Sequence, residues 1–487
     1  MKTLFKILII NLVLSISTNG QFNFEKHQLE IEGERISGLH YADFDNDGDN
    51  DIIACYKQKN KIVIWINNGN LVQSFTKIIV DSNFIAPLYV YAKDINNDSL
   101  PDFAISSGTN NCVALYINLG ENAKSWQKYV ISNNFENAHM VLIEDIDNDG
   151  NKDLIASCGG TVNRIDWWKN NCGTPLSWHQ NTVTKDFSFS QTIAAGDING
   201  DGKIDIVAGS SGLHQVAWFK NEGGDSLTFT KNLITKNTEL PHWVTICDIN
   251  MDGFLDVISC GYSSAEISLW KNSGEDSMKW TRVFVDNNSS SPLTVVTADL
   301  NNDGLIDIIA NSFSGDKLNI YKNINQTGDN WEKINLVQNY NGPWPLCTFD
   351  IDNDGDTDIV SASDVLGGSG LSAPLCVWEN RLIVNEIKNN DIKKYEFNLN
   401  QNFPNPFNSS TTIGYYLKKP AYTEIYLYTV LGELIKVYDL GIKDAGYNEL
   451  TIDLNNLAGG VYFYKLNIKT GNNEPNFNKV LKMTYLK

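Results

Sequence analysis

The sequence predicts an all-β chain: a seven-bladed β-propeller followed by a small Ig-like β-sandwich. Three observations carry that reading. An acidic nonamer, D-x-[DN]-x-D-G-x-x-D, begins at Asp43, Asp94, Asp145, Asp197, Asp248, Asp299 and Asp350, with spacings of 51, 51, 52, 51, 51 and 51 residues. A period of about 50 residues is that of one propeller blade. Within each period, short runs rich in β-branched and aromatic residues are separated by Gly, Asn, Ser and Asp, the pattern of strands and turns. After Asn380 the repeat stops and the acidity with it, which sets off a second domain.

Residues 1–20 read as a signal peptide. Lys2 and Lys6 supply the positive start, Ile7 to Ile16 is apolar apart from Asn11 and Ser15, and Thr18 and Gly20 suit cleavage before Gln21. The remaining 467 residues hold no apolar run of membrane-spanning length. The full chain carries 38 Lys and Arg against 58 Asp and Glu, net −20, and loss of the two lysines gives −22. Such acidity argues against a nucleic-acid partner, since phosphate contacts need a basic patch. A hydrophobic content of 42% argues equally against a disordered acidic tail. Export makes disulfides possible, but the eight cysteines contain no C-x-x-C, and their pairing is open. Several sit in apolar strand-like runs, where buried free thiols are expected.

Residues 21–380 give the blades. In each, one strand precedes the acidic loop, as at Trp243 to Cys247, and one follows it, as at Asp256 to Cys260. The third carries an aromatic-x-Asn pattern, from Trp65/Asn67 to Trp378/Asn380. The fourth carries aromatic-x-cation or Gln, from Phe75/Lys77 to Trp331/Lys333. The seventh unit lacks a fourth strand, and a spare one, Phe22 to Ile31, precedes the first. The N-terminal strand is therefore expected to complete blade 7 and close the ring.

The nonamer has a chemical reason. Positions 1, 3 and 5 present side-chain oxygens around a tight turn, position 6 needs φ > 0, position 7 offers a carbonyl, and position 9 a further carboxylate. Hard oxygen ligands in this pattern suit Ca²⁺. The expected ligands, numbering the loops in chain order, are Asp43, Asp45, Asp47, Asp49 (carbonyl) and Asp51 in loop 1, and Asp94, Asn96, Asp98 and Asp102 in loop 2. They continue as Asp145, Asp147, Asp149 and Asp153 in loop 3, Asp197, Asn199, Asp201 and Asp205 in loop 4, and Asp248, Asn250, Asp252 and Asp256 in loop 5. Asp299, Asn301, Asp303 and Asp307 form loop 6, and Asp350, Asp352, Asp354 and Asp358 form loop 7. An EF-hand would need Glu at position 12, which here is Ala54, Ile105, Ala156, Ala208, Ser259, Ala310 or Ser361. Up to seven structural Ca²⁺ ions would bring −22 to −8. Loop 2 has Ser99 where the others have Gly, so it is expected to be the weakest site.

On these loops, residues 21–380 resemble the FG-GAP/VCBS repeat propellers of integrin α-chains and secreted bacterial proteins. The resemblance implies a calcium-stabilised scaffold with an adhesion or ligand-binding role; the family holds both lectin-like members and enzymes.

Residues 381–394 read as a linker and 395–487 as the second domain. From residue 400 there are nine lysines and seven acids. Alternating runs at Thr411 to Leu417, Thr423 to Val430, Leu434 to Tyr438, Asn448 to Leu454, Gly460 to Leu466 and Lys479 to Tyr485 predict an antiparallel sandwich. Asn402-Phe403-Pro404-Asn405-Pro406-Phe407-Asn408, Tyr428-Thr429-Val430-Leu431-Gly432, Leu457-Ala458-Gly459-Gly460-Val461-Tyr462 and Lys479-Val480-Leu481-Lys482 resemble the type IX secretion C-terminal sorting domain, type A. That resemblance implies handling by the type IX machinery of a Gram-negative outer membrane. Removal of the domain, and anchoring or release of the rest at the cell surface, would follow.

Ligand candidates lie on the face opposite the acidic loops. Six residues before each loop stand Ser37, Leu88, His139, Gln191, His242, Leu293 and Trp344, expected around the central channel mouth. Of these, His139, Gln191, His242 and Trp344 are the candidates for a glycan or protein ligand. A second loop class on that face carries Tyr56, Arg164, Asp166, His214, Glu266, Asp316 and Asp364. The chain has no G-x-S-x-G, H-E-x-x-H or Walker loop. The expectation is a monomeric, secreted or cell-surface, non-catalytic binding and adhesion module; a carbohydrate-active enzyme, lyase or hydrolase, is the alternative.

Overall fold

The computed structural model describes residues 16–18, 22–30, 35–69, 75–160, 163–173, 176–224, 227–274, 279–363, 375–381, 397–399, 402, 410–417, 419–430, 434–443, 446–454, 457–469 and 477–485. Lys2 and Lys6, the linker residues 382–394, Asp364, Phe403 to Asn408 and Leu431-Gly432 lie outside the described residues. The chain divides into two compact units, Met1–Ile383 and Val384–Lys487. Among the described residues all regular structure is strand, apart from one 3-10 turn at Lys57–Lys59.

In the first unit each repeat folds as a four-stranded antiparallel sheet, its strands following chain order outward. Blade 1 runs Ile36–Ala42, Asp51–Tyr56, Lys61–Ile66 and Thr76–Asp81. The strand after each acidic loop is buried along its whole length, as in Asp51–Tyr56 and Asp358–Ser363. It lies between two neighbours in its own sheet and between two adjacent blades, so an unbroken apolar run suits it. The fourth strands, such as Trp126–Ser132, alternate and face solvent on one side. The innermost strands of successive blades touch around the full circle, the last, Pro343–Phe349, meeting the first, Ile36–Ala42.

Blade 7 combines Pro343–Phe349, Asp358–Ser363 and Leu375–Asn380 with Phe22–Glu30 as outer strand. Phe24 stands opposite Asn380 and Gln28 opposite Cys376. The ring thus closes on an N-terminal strand, as the orphan fourth strand implied. Ile16–Thr18, inside the segment read as removable, pairs with Phe22, Asn23 and Phe24 as a fifth strand. Cleavage before Gln21 would leave Phe22–Glu30 at the edge.

The core is divided among the blade interfaces. Seven buried clusters occur in the described part of this unit, one per pair of neighbours, such as Ile53, Ile62 and Ile64 against Phe103, Ile105 and Tyr116. Five cations of the aromatic-x-cation pattern act within their own blades. Lys77, Lys128, Arg282, Lys333 and Lys26 lie 4.8, 5.4, 4.9, 5.6 and 5.2 Å from the ring centres of Trp65, Tyr116, Trp270, Tyr321 and Trp378. Each cation caps the third-strand aromatic of its own blade. In blade 3 the position holds Gln180, which donates to Asp166 Oδ2 at 2.6 Å.

The second unit has two antiparallel sheets around one core. Phe397–Leu399, Ser410–Leu417 and Gly446–Asp453 form one; Leu434–Lys443, Ala421–Thr429, Gly460–Lys469 and Phe477–Tyr485 form the other. Ile413, Tyr415 and Leu417 pack with Ile425, Tyr464 and Leu466 between them. Asn402 is buried, its backbone N–H donating to Tyr464 Oη at 2.7 Å and its Nδ2 to Thr411 Oγ1 at 2.9 Å. The short strand Phe397–Leu399 gave no alternating run long enough to recognise. All eight cysteines are free thiols, six of them buried.

Candidate functional site

The acidic loops share one frame. The position 6 N–H donates to a carboxylate oxygen of the position 1 Asp at 2.8–3.0 Å in all seven. Position 6 has φ between 72° and 100°, Ser99 included at 72°. Ser in that region carries a Cβ clash of about 1 kcal/mol, which Gly avoids.

Position 9 has a role that spacing did not reveal. Asp51, Asp102, Asp153, Asp205, Asp256, Asp307 and Asp358 are fully buried. One carboxylate oxygen of each accepts the position 2 N–H of its own loop at 2.8–3.2 Å. The other accepts the backbone N–H of the third-strand Asn at 2.7–2.9 Å. The Asn side chain then reaches the preceding blade: Asn118, Asn221, Asn272 and Asn380 donate to the carbonyls of Phe44, Ile146, Ile198 and Leu300 at 2.7–2.9 Å. The aromatic-x-Asn pattern is therefore a blade-to-blade stitch. Burial pushes the position 9 carboxyls upward, to about 8 for Asp51 and Asp358 and about 7 for Asp153.

Position 3 separates the loops into two kinds. In loops 2, 4, 5 and 6 it is Asn, donating to the position 5 Asp: Asn96 to Asp98, Asn199 to Asp201, Asn250 to Asp252 and Asn301 to Asp303, at 2.8–3.1 Å. In loops 1, 3 and 7 it is Asp, and three carboxylates converge. Asp43, Asp45 and Asp51 bring one oxygen each to within 4.8 Å of one another, as do Asp145, Asp147 and Asp153, and Asp350, Asp352 and Asp358. Oδ1 of Asp45, Asp147, Asp350 and Asp352 is buried without a hydrogen-bond partner. Burial, then neighbouring acids, raises Asp45, and the same causes push Asp352 up to about 6. Converging, orphaned carboxylate oxygens fit a hard divalent cation. A fourth group, Glu25, His27 and Glu379, is tied by Arg381, which lies 2.7 Å from Glu25 and 2.8 Å from Glu379.

On the opposite face the four ligand candidates form an arc. The His139 imidazole lies close to the Gln191 backbone and to His242. The His242 ring centre is 6.1 Å from that of Trp344, edge to face. His242 Nδ1 lies 2.8 Å from the Leu293 carbonyl, and His139 Nδ1 is buried without a partner. Burial lowers both imidazoles, His139 to about 3, so both are neutral at pH 7. Ser37, Leu88 and Leu293 are buried, and Ser37 Oγ donates to the Pro87 carbonyl at 2.8 Å. Arg164 pairs with Asp166, and Glu266 with Arg282.

Deeper in the channel is a cavity of about 300 Å³ lined by the inner strands of all seven blades, His40, Tyr89, Tyr91, Glu144 and Trp243 among them. The four mouth candidates do not line it. His40 packs 4.5 Å from Tyr91, and Tyr89 lies 5.6 Å from Trp243, by ring centres. The signal was available: His40, Tyr91 and Thr245 each stand three residues before a loop, where an alternating strand points inward.

The FG-GAP-like repeat matches residues 43–105, 94–156, 145–208, 197–259, 248–310 and 299–361, each match running from one acidic loop through the next. The chain belongs to the FG-GAP-like repeat family. In this FG-GAP-like protein, residues 401–479 match the secretion system C-terminal sorting domain. The protein is therefore sorted through its C-terminal domain to secretion or the cell surface, in Bacteroidetes-type bacteria, and that domain implies interaction with the type IX secretion system. No helix of its described residues is long and apolar enough to cross a membrane. The search of curated proteins gives no match. Crystal structures of BBS1N in complex with ARL6DN, soaked with lead or mercury, are similar at TM-scores of 0.51 and 0.50 and 13% and 11% identity. Each comparison covers 75% of this chain and 98% of the other. A protein from Lactobacillus plantarum is similar at a TM-score of 0.44 and 12% identity, over 67% of this chain and 95% of the other. At such identities the likeness to the BBS1N structures is one of fold.

Proposed function

We propose that the protein is a calcium-stabilised propeller acting as a non-catalytic binding or adhesion module for a glycan or protein outside the cell. In this reading residues 1–20 are removed as a signal peptide, residues 21–380 bind, 381–394 link, and 395–487 serve as the export address. The observation that carries the metal part is the convergence of three carboxylates in loops 1, 3 and 7, with orphaned oxygens on Asp45, Asp147, Asp350 and Asp352. Unneutralised, such groups repel; a bound Ca²⁺ stabilises the native state by linkage.

For the ligand, the arc of His139, Gln191, His242 and Trp344 offers neutral imidazoles, an indole and the buried, unpartnered Nδ1 of His139. Aromatic faces with a few polar groups suit a sugar ring or a peptide side chain. The deciding experiment is a glycan array of the purified protein with Ca²⁺ and with EGTA, repeated with His242→Ala and Trp344→Ala. Binding lost in both variants supports the mouth; binding unaffected by either refutes it. Turnover of a bound glycan would establish the alternative, a carbohydrate-active enzyme.

A further inference from the structure

We propose that loops 1 and 7 act together as a divalent-cation latch on the ring seam and fill before the other five loops. The proposal rests on the metal reading above and goes beyond it in ranking and coupling the sites.

The ranking comes from cations the chain supplies itself. The residue before the third-strand Asn is Lys169, Lys220, Lys271 and Lys322 in blades 3 to 6. Lys169 Nζ pairs with Asp147 and lies 2.5 Å from Asp149, placing an ammonium on loop 3. Lys322 lies 3.5 Å from Asp303 in loop 6, and Lys203 lies 3.0 Å from Asp201 in loop 4. A metal entering these loops competes with a resident charge. The equivalent residues are Ile66 in blade 1 and Glu379 in blade 7. Glu379 is held by His27 and Arg381, at 2.5 and 2.8 Å; the Arg381 charge is felt at Asp352 of loop 7, but no ion pair joins those two among the described residues. Loops 1 and 7 therefore combine three converging carboxylates with the absence, among the described residues, of an ion pair from a lysine. Loop 3 has the carboxylates and the lysine. Loops 2, 4, 5 and 6 have an amide in place of the third acid.

The coupling comes from where ring closure puts these two loops. They are some 300 residues apart in sequence and touch directly. Asn353 Nδ2 donates to the Gly48 carbonyl at 3.1 Å and to Asp49 Oδ1 at 2.7 Å. Asn50 Nδ2 donates to the Asp350 carbonyl at 3.2 Å. The first of these bonds recurs elsewhere, from Asn148 to Gly202 and from Asn302 to Gly355; among the described residues the other two occur at this seam alone. Asp350 and Asp49 each belong to a ligand set and to the contact between the loops. Ordering one loop around a cation orders the donors and acceptors that the other uses, which is positive coupling. The same junction joins the first and last blades of the propeller, which also meet through the buried cluster of Ile36 and Leu39 with Phe349 and Val377 and through the Asn67 to Ile351 bond, while Phe22–Glu30 pairs with Leu375–Asn380.

The test is peptide-resolved hydrogen exchange on the full chain, stripped of metal and titrated with CaCl₂. Residues 43–51, 350–358, 22–30 and 375–380 should gain protection together, at lower calcium than loops 2 to 6. Asp45→Asn should shift the midpoint of loop 7, and Asp352→Asn that of loop 1. Lys169→Met should lower the loop 3 midpoint about threefold, the scale of an exposed ion pair. Seven equal midpoints, or an Asp45→Asn effect confined to loop 1, would overturn the latch while leaving the calcium reading intact. Absence of protection at any calcium concentration would overturn both.

Discussion

Asn67 Nδ2 donates to the carbonyl of Ile351 at 2.6 Å, joining blade 1 to blade 7 across 284 residues of sequence. Its N–H donates to the buried Asp51 at 2.7 Å, so one Asn fixes its own loop and its neighbour's. The same stitch is made at four further interfaces, whereas the Nδ2 of Asn170 reaches only the Lys152 carbonyl of its own loop. Asn67→Ala should therefore destabilise the propeller by about 1–3 kcal/mol, since it leaves the buried Ile351 carbonyl without this donor. Asn170→Ala should cost less. Chemical denaturation of both variants, in calcium, makes the comparison.

Metal-free protein should lose stability as pH rises. Asp51 and Asp358 have folded pKa values of about 8, Asp153 about 7 and Asp352 about 6, raised first by burial, against about 4 in an unfolded chain. For a carboxyl raised on folding, the stabilising contribution is complete below the unfolded value and is lost as pH climbs through the folded one. Tm in metal-free buffer should fall between pH 5 and pH 9. Saturating calcium should flatten that slope, because the metal takes the ionised form. A Tm that rises with pH in metal-free buffer would contradict the assignment.

Removal of Gln21 to Ile31 should open blade 7. The deletion exposes the edge of Leu375–Asn380, now covered by Phe22–Glu30, and strips Phe22 and Phe24 from the cluster with Leu318, Ile359 and Trp378. Size-exclusion chromatography should show self-association, and Tm should drop. A truncated protein as stable and monomeric as the parent would rule out closure by this strand.

Ser99→Gly should tighten loop 2. Ser99 has φ 72°, where Gly carries no Cβ penalty, so a gain of about 1 kcal/mol is expected, less the chain entropy that Gly adds to the unfolded state. Calcium-dependent hydrogen exchange of residues 94–102 should show a lower midpoint than in the parent.

A chain ending near residue 390 should fold but fail to leave the cell. The two compact units divide near residue 383, and the sorting match begins at 401. Expressed with residues 1–20 in a host carrying type IX secretion, the truncated chain should accumulate in the periplasm. Its purified form should keep the calcium-dependent Tm. Surface delivery without residues 395–487 would refute the sorting role; loss of propeller folding would show that the two units depend on each other.

Most of the architecture was legible because a propeller is written locally. Each blade's strands lie within about 50 residues, so burial pattern, turn residues and the nonamer register specify them without reference to the rest of the chain. The N-terminal strand was legible by count, being the one left over. The convergence of Asp43, Asp45 and Asp51 was legible for the same reason: all three stand within nine residues. Tertiary structure alone decided what happens between blades. It set Asn67 on Ile351 and Asn353 on Asp49, made the third-strand Asn a stitch, and brought Tyr89 and Trp243 together at one cavity. It also decided which loops keep a lysine, since Lys169 meets Asp147 and Asp149 from another strand, some 20 residues on. These contacts depend on the angle and spacing at which rigid sheets pack around a closed ring. That geometry is fixed by the sum of seven interfaces, and no local stretch of sequence contains it.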